Sequence, residues 1–260
     1  MLKIEKEKVG IVGCATCKNE TPMQDSSWEF WGVNNLFLSM PSGNGKGPQK
    51  WGKWFEIHPI DKDKEGHFVR RWDKNFRGQN MNQYMKQLAE LPCPVIMQKH
   101  WEEVPNSVEY PIAEILSKFG KYFTNTISYE IALAILLGAK EIGIWGVDMA
   151  VGTGQANVLN PAGGEYSVQK PSCEWLVGYA MGMGIKVTIP DTSDLLKTRF
   201  LYAFEEKERD QWTKKMVSMM ESLDQQINKH TNTINISNQK QQQAIGARQA
   251  LMESARIWGD

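Results

Sequence analysis

The chain of 260 residues has no surplus of charge of either sign: Lys and Arg number 30, Asp and Glu 30. Wrapping nucleic acid or coating an anionic membrane needs concentrated positive charge, and a balanced composition gives neither general support. Long apolar runs are also missing. No uncharged stretch reaches the ~18 residues of a membrane-spanning helix. The opening Met1-Leu2-Lys3-Ile4-Glu5-Lys6-Glu7-Lys8 lacks the apolar core of a secretory signal. These absences predict a cytoplasmic protein without a membrane partner and argue against nucleic acid. Cysteine is scarce, at four residues. Cys14 and Cys17 form a CxxC, but no second pair and no suitably spaced His or Cys completes a zinc site. Cys93 and Cys173 stand alone in apolar surroundings. The simple reading is four reduced thiols, with a redox or metal role for Cys14 and Cys17 as the alternative.

What is present is an alternation of short apolar runs and helical segments. Lys8 to Cys14 reads as a first strand, Trp54 to His58 as a second and Pro94 to Gln98 as a third. Helical patterns cover Met81 to Leu91, Tyr110 to Phe119, Ser128 to Leu137 and Cys173 to Gly182. Gly138 stops the third of these and leads into a strand over Glu141 to Trp145. Gly184 then releases the chain into Ile185 to Pro190. Strands apolar on both faces belong to a mostly parallel sheet covered by helices on both sides. Beyond Asp191 the composition shifts. Phe204 to Trp258 has no proline and is rich in Glu, Lys, Gln and Met, with apolar residues at steps of three or four. The expected architecture is therefore α/β: a body over residues 1–202 and a helical extension or helical hairpin over 203–260. Asn232 to Asn238 is the expected bend. The partly polar stripe should pack on the body or on another subunit, which predicts a homo-oligomer through these helices.

In an open α/β sheet, ligands sit at the carboxyl ends of the strands. Four places there could carry chemistry. The turn after the first strand, with Gly13, Cys14 and Thr16, has small residues and exposed amides suited to a phosphate. It is neither a dinucleotide fingerprint nor a Walker loop, and an ordinary tight turn is the alternative. Glu56 and His58 alternate on one strand and so share a side. His58 could donate to a phosphate or shuttle a proton, or be purely structural. Thr126 and Ser128 belong to a hydroxyl cluster at a helix start, where one group caps the helix and others could hold phosphate or sugar. Gly146 and Asp148 end a strand and precede a polar segment with Glu165, Tyr166, Gln169 and Glu174. Glu174, in an otherwise apolar helix, needs a partner, either Lys170 or a ligand hydroxyl. Asp148 could contact a ribose or sugar, or hold a divalent cation with Glu165. The Gly-rich stretches at 152–155 and 162–164 read as a lid or as surface loops.

The segments WGVNNLF, WFEIHP, YFTNTISYEIALAILLGAKEIGIWGVDM and EYSVQKPSCEWLVGYAMGMGIKV, with a tail ending GARQALMESARIW, resemble a group of uncharacterised proteins encoded by tailed bacteriophages. More distantly, the body resembles the Rossmann-like superfamily of archaeal 6-hydroxymethylpterin diphosphokinase and sialyltransferase-like proteins. That resemblance implies a nucleotide or nucleotide-sugar at the strand ends. The superfamily's Gly-Pro-Ser first turn is replaced here by Gly13-Cys14-Ala15-Thr16, a departure that bears on catalysis more than on fold. Three functions follow as expectations. One is a nucleotide or nucleotide-sugar binding protein that transfers a glycosyl or diphosphate group in the host cytoplasm, with His58, Asp148 and Glu174 as catalytic groups. The second is non-catalytic sequestration of a nucleotide signal that blunts host defence. The third is an oligomeric interaction protein.

Overall fold

Runs such as Val9-Gly10-Ile11-Val12 and Ile142-Gly143-Ile144 leave no polar face for water, so each becomes an interior strand. The computed structural model describes residues 2–40, 50–70, 80–149, 164–198 and 208–258, with backbone alone at 164–166, 208–212 and 258. Its elements in order are β1 (Lys8–Val12), β2 (Trp28–Val33), β3 (Lys53–Glu56), β4 (Ile60–Lys62), β5 (Phe68–Arg70), α1 (Met81–Ala89), β6 (Val95–Met97), β7 (Ser107–Glu109), α2 (Ile112–Phe119), α3 (Thr126–Leu136), β8 (Glu141–Trp145), α4 (Gly164–Gly182), β9 (Lys186–Thr188) and α5 (Glu208–Trp258).

Seven strands form one sheet in the order β7-β6-β3-β2-β1-β8-β9, and every neighbouring pair is parallel. β4 and β5 form a separate antiparallel hairpin. One sheet face buries Val9, Ile11, Phe55, Ile142 and Ile144 against α2, α3 and α4. The other buries Val12, Trp28, Phe30, Trp54 and Trp145 against α1 and the connections that follow β1 and β2, each of which carries a short 3-10 turn. This is a Rossmann-like α/β fold with helices on both faces, followed by a long C-terminal helix. No helix among the described residues is long and apolar enough to cross a membrane. The chain divides into two compact units, 1–197 and 198–260.

Local signals explain most boundaries. Gly138 and Gly184 take positive φ of 85° and 79°, and the amides around them bond back to the closing turns of α3 and α4. α4 runs well ahead of the expected Cys173, through Pro171. The Gln169 carbonyl beside that proline accepts from Asn125 Nδ2 at 3.0 Å and Ser172 Oγ at 3.1 Å. These side-chain donors hold the turn that the missing proline N–H weakens. α5 is one continuous helix rather than a hairpin, and it passes through 232–238 without a break. Thr233 Oγ1 donates to the Lys229 carbonyl at 3.0 Å, so one of the poor helix formers there is tied to the helix itself.

At the amino end of the sheet, Glu29 is buried against Lys53, with Nζ to Oε1 at 2.6 Å, and Trp31 Nε1 donates to the same oxygen at 2.8 Å. Burial alone would raise this carboxyl, but the bonds from Lys53 and Trp31 outweigh it and hold Glu29 below the usual carboxylate range. Lys53→Met removes the only ammonium bonded to this carboxylate among the described residues. It is expected to cost about 3–5 kcal/mol in urea unfolding, the cost of stranding a buried charge.

Candidate functional site at the carboxyl rim

β1 is where the chain leaves the sheet in both directions, to β2 on one side and eventually to β8 on the other. The crevice at such a switch point is the usual ligand site. Here the two strand-end turns clasp each other. Gly13 N–H donates to the Trp145 carbonyl and Ala15 N–H to the Gly146 carbonyl, both at 2.8 Å. A Cβ on Gly13 would lie 2.4 Å from the Gly146 oxygen, and one on Gly146 would lie 2.3 Å from the Gly13 oxygen. Both glycines are needed for this backbone approach. A ligand can sit over the clasp but not between its turns.

On the β8 side the polar groups are already engaged. Asp148 Oδ1 accepts from Asp194 N–H at 3.0 Å, and Ser193 Oγ donates to the Val147 carbonyl at 2.7 Å. Glu174 Oε1 accepts from Leu196 N–H at 2.8 Å and lies 3.5 Å from Lys170 Nζ. The segment after β9 therefore lies over the end of β8. Lys170 is the partner that Glu174 needed, and a backbone amide shares the task. The hydroxyl cluster is likewise knitted into the helix starts. The α3 cap is the Asn125 side chain, which accepts from Ser128 N–H at 2.8 Å, while Ser128 is fully buried and its Oγ donates to the Asn125 carbonyl. Thr126 is half-buried at the first helical position. The Glu165 and Tyr166 side chains and the Gly-rich stretches at 152–155 and 162–163 lie outside the described residues.

On the other sheet face, Glu56 and His58 form a dyad. His58 Nδ1 lies 2.6 Å from Glu56 Oε1, and His58 N–H donates to the same oxygen at 3.1 Å. The second carboxylate oxygen accepts from Arg70 Nη2 at 2.7 Å and from the Tyr84 hydroxyl. Glu56 is fully buried, whereas the His58 side chain is 40% exposed. Burial would raise the Glu56 carboxyl, but the hydrogen bond and charge of His58 and the charge of Arg70 hold it below the usual range. Burial and the adjacent Glu56 charge push the Tyr84 phenol well above its usual value, so Tyr84 is a fixed donor. A carboxylate accepting from Nδ1–H leaves Nε2 as the basic nitrogen, and Nε2 has no partner among the described residues. Cys14, exposed, lies near enough to Tyr84 to act on its phenol electrostatically.

An open cleft of about 640 Å³ lies beside the connections after β1 and β2, lined by Lys18, Asn19, Gln24, Ser39 and Met40 among others. Lys18 Nζ donates to the Cys14 carbonyl at 3.1 Å, which links the cleft to the β1 turn. The structure thus brings Gly13, Cys14, Glu56 and His58 to one side of the rim. Asp148, Gln169, Glu174 and Ser128 belong to the side covered by α3, α4 and the 191–197 segment. Thr16 is exposed on the 3-10 turn Thr16–Glu20 between them. Sequence reasoning did not find Arg70 or Tyr84. Nothing local marks an Arg on a hairpin and a Tyr on a helix as partners of Glu56.

All four cysteines are free. Burial and the Asp148 charge push the Cys17 thiol up to about 11, and burial takes Cys93 and Cys173 to about 12. These three remain protonated and unreactive near neutrality. Among the described residues, the acidic and histidine groups close enough to share a divalent cation are Asp63, Glu65 and His67, exposed on the β4–β5 turn with ligand atoms within 4.8 Å of one another.

No protein-family model and no curated protein matches the chain. Among solved structures it has a distant likeness to the sialyltransferase CstII from Campylobacter jejuni in complex with the substrate analogue CMP-3FNeuAc, at 17% identity and TM-score 0.43, covering 70% of this chain and 79% of that one. An alpha-2,3-sialyltransferase from Campylobacter jejuni in apo form gives 13% identity and TM-score 0.42, covering 73% and 77%.

One buried group stands apart from these clusters. Glu130 on α3 is fully buried, and neither carboxylate oxygen has a hydrogen-bond partner among the described residues. Burial raises its pKa well above the usual value. The unfolded side chain titrates near about 4.3. A raised folded pKa therefore gives stability that is complete below that pH and is lost as pH rises toward the folded value. Glu130→Gln keeps the shape without the charge. Thermal melts should coincide with the wild type at pH 4, while at pH 8 the variant should melt at least about 3 °C higher, the shift that ~1 kcal/mol produces in a unit of this size.

Proposed function

We propose that the protein binds a nucleotide or nucleotide-sugar on the Cys14 and His58 side of the rim and transfers a glycosyl or diphosphate group. The observation that carries this reading is the Glu56–His58 dyad at the carboxyl end of an interior parallel strand. Its carboxylate is locked by Arg70 and Tyr84, and its imidazole is exposed. In this reading Nε2 takes the proton from an acceptor hydroxyl as that oxygen bonds to the transferred group, while the bond from that group to the donor nucleotide breaks and its electron pair leaves on the nucleotide's phosphate oxygen. Glu56 stabilises the imidazolium that forms and fixes the ring. The Thr16 amide, which takes no part in the clasp, and the further N–H donors of the Lys18 ammonium are offered to the phosphate. Asp148 and Glu174 act as positioning groups, since both are bonded to the 191–197 backbone.

In this reading the activity operates in the cytoplasm of an infected host, as the likeness of the sequence to tailed-phage proteins implies. Sequestration of a nucleotide signal uses the same rim without the proton transfer, and recovery of unchanged ligand would identify it.

A panel of ATP and of CMP-, UDP- and GDP-sugars should contain a member that raises the melting temperature, because a ligand selective for the native state stabilises it. His58→Ala should retain that shift yet lower turnover by about 10²–10⁴-fold, the range expected on losing a general base. A panel without any shift would end the binding proposal. A shift with equal turnover in wild type and variant would end the role of His58.

A further inference from the structure

α5 is 51 residues long, which at 1.5 Å per residue makes a rod of about 75 Å. Among its described side chains, large apolar ones stand exposed: Leu223 is 56% exposed, Ile227 60%, Ile234 59% and Leu251 71%, with Met216 half-buried. In a seven-residue frame with Met220, Ile227 and Ile234 at the first position, Met216, Leu223, His230, Ser237, Ala244 and Leu251 fall at the fourth. This is the narrow seam of a coiled coil rather than the broader apolar face of a helix lying on a globular body. From this pattern we infer that α5 pairs with the same helix of a second copy as a parallel, in-register, two-stranded coiled coil.

Several features fix the occupant and its orientation. Ile at the first position with Leu at the fourth favours two strands over three or four. Parallel pairing sets each layer against its own copy. The apolar layers at Met216, Met220, Leu223, Ile227 and Ile234 then meet apolar layers, and the polar layers at His230, Ser237 and Gln241 meet polar ones. Antiparallel pairing would lay the apolar half of one helix along the Gln- and Ser-bearing half of the other. A polar residue at the first position, here Gln241, specifies register at some cost in stability. Flanking positions are compatible: Asp224 faces Met219 of the other copy and Lys240 faces Ile245, so no like charges oppose across the seam there. Arg248 at a first position is the unfavourable layer, and its long stem can carry the charge outward. A seam of this length and one helix wide covers on the order of 800 Å² per helix, the size of a standard stable interface. Parallel strands also bring the two chains' connections to their α/β units to the same end of the rod. The inference does not depend on the ligand proposed above.

The test is sedimentation equilibrium of the full chain, with cross-linking of single-cysteine additions. The expected mass is about 59 kDa, twice the 29.6 kDa of one chain. The double variant Ile227→Asp, Ile234→Asp should sediment as a monomer with its sheet signal in circular dichroism unchanged. Under mild oxidation Ser237→Cys, in the seam, should form a disulfide-linked dimer above the wild-type background. Asn232→Cys, on the outer face, should not. A wild-type monomer, a trimer or larger assembly, a dimer that survives the double variant, or equal cross-linking at 237 and 232 would each overturn the inference.

Discussion

The buried carboxylate of Glu56 is the interaction on which the candidate site depends. A lone charge at that depth would be prohibitively costly, so it must be answered by donors, and three separate pieces of chain supply them. Arg70 comes from the β5 end of a hairpin, Tyr84 from a helix, and His58 from the strand's own continuation. The need to satisfy one carboxylate thus draws the hairpin and α1 onto the end of β3. It also leaves the imidazole facing outward with its Nδ1 engaged. Stability and chemistry share the same bonds, so the ring is held by the fold and not by a ligand.

The clasp between Gly13 and Gly146 plays the complementary part on the central strands. Parallel β1 and β8 are in register from Lys8 with Glu141 to Val12 with Trp145, and the clasp extends that pairing past the strand ends. It closes the space between two loops that would otherwise form a switch-point crevice. With Asp148 and Glu174 bonded to the segment after β9, the open polar surface shifts toward Cys14, Lys18 and His58. The two polar groupings at the rim are therefore of different kinds, one spent on holding helices and a connection in place, the other with a ring nitrogen that has no partner among the described residues.

α5 shows the same economy in another form. Its sequence is too polar for the interior of a globular unit and too regularly punctuated by Met, Leu and Ile for a solvated rod. The inferred seam between two copies would resolve that conflict, because each helix would need to cover only a narrow stripe of the other.

The sequence marks β1, β3, β6, β8 and β9 and the stops beside them, but not β2, β4, β5 or β7. Runs such as Ile142-Gly143-Ile144-Trp145 carry no polar residue and leave no exposed face, and Gly138 and Gly184 end helices because glycine alone adopts positive φ without steric cost. It also placed Glu56 beside His58, since alternation along a strand is a local property. Only the tertiary structure decided which polar residues were already spent. Asp148 reads as a strand-end carboxylate for a ligand and Glu174 as a helix carboxylate for Lys170 or a ligand; Lys170 is four residues from Glu174, but the amides of Asp194 and Leu196 that also bond these carboxylates lie tens of residues on. Tyr84 and Arg70 reach Glu56 across 28 and 14 residues. The α4 helix extends through Pro171 because side chains from the start of α3 hold the turn around it. Such pairings are set by which surfaces the sheet brings together, and no periodicity within one segment encodes them.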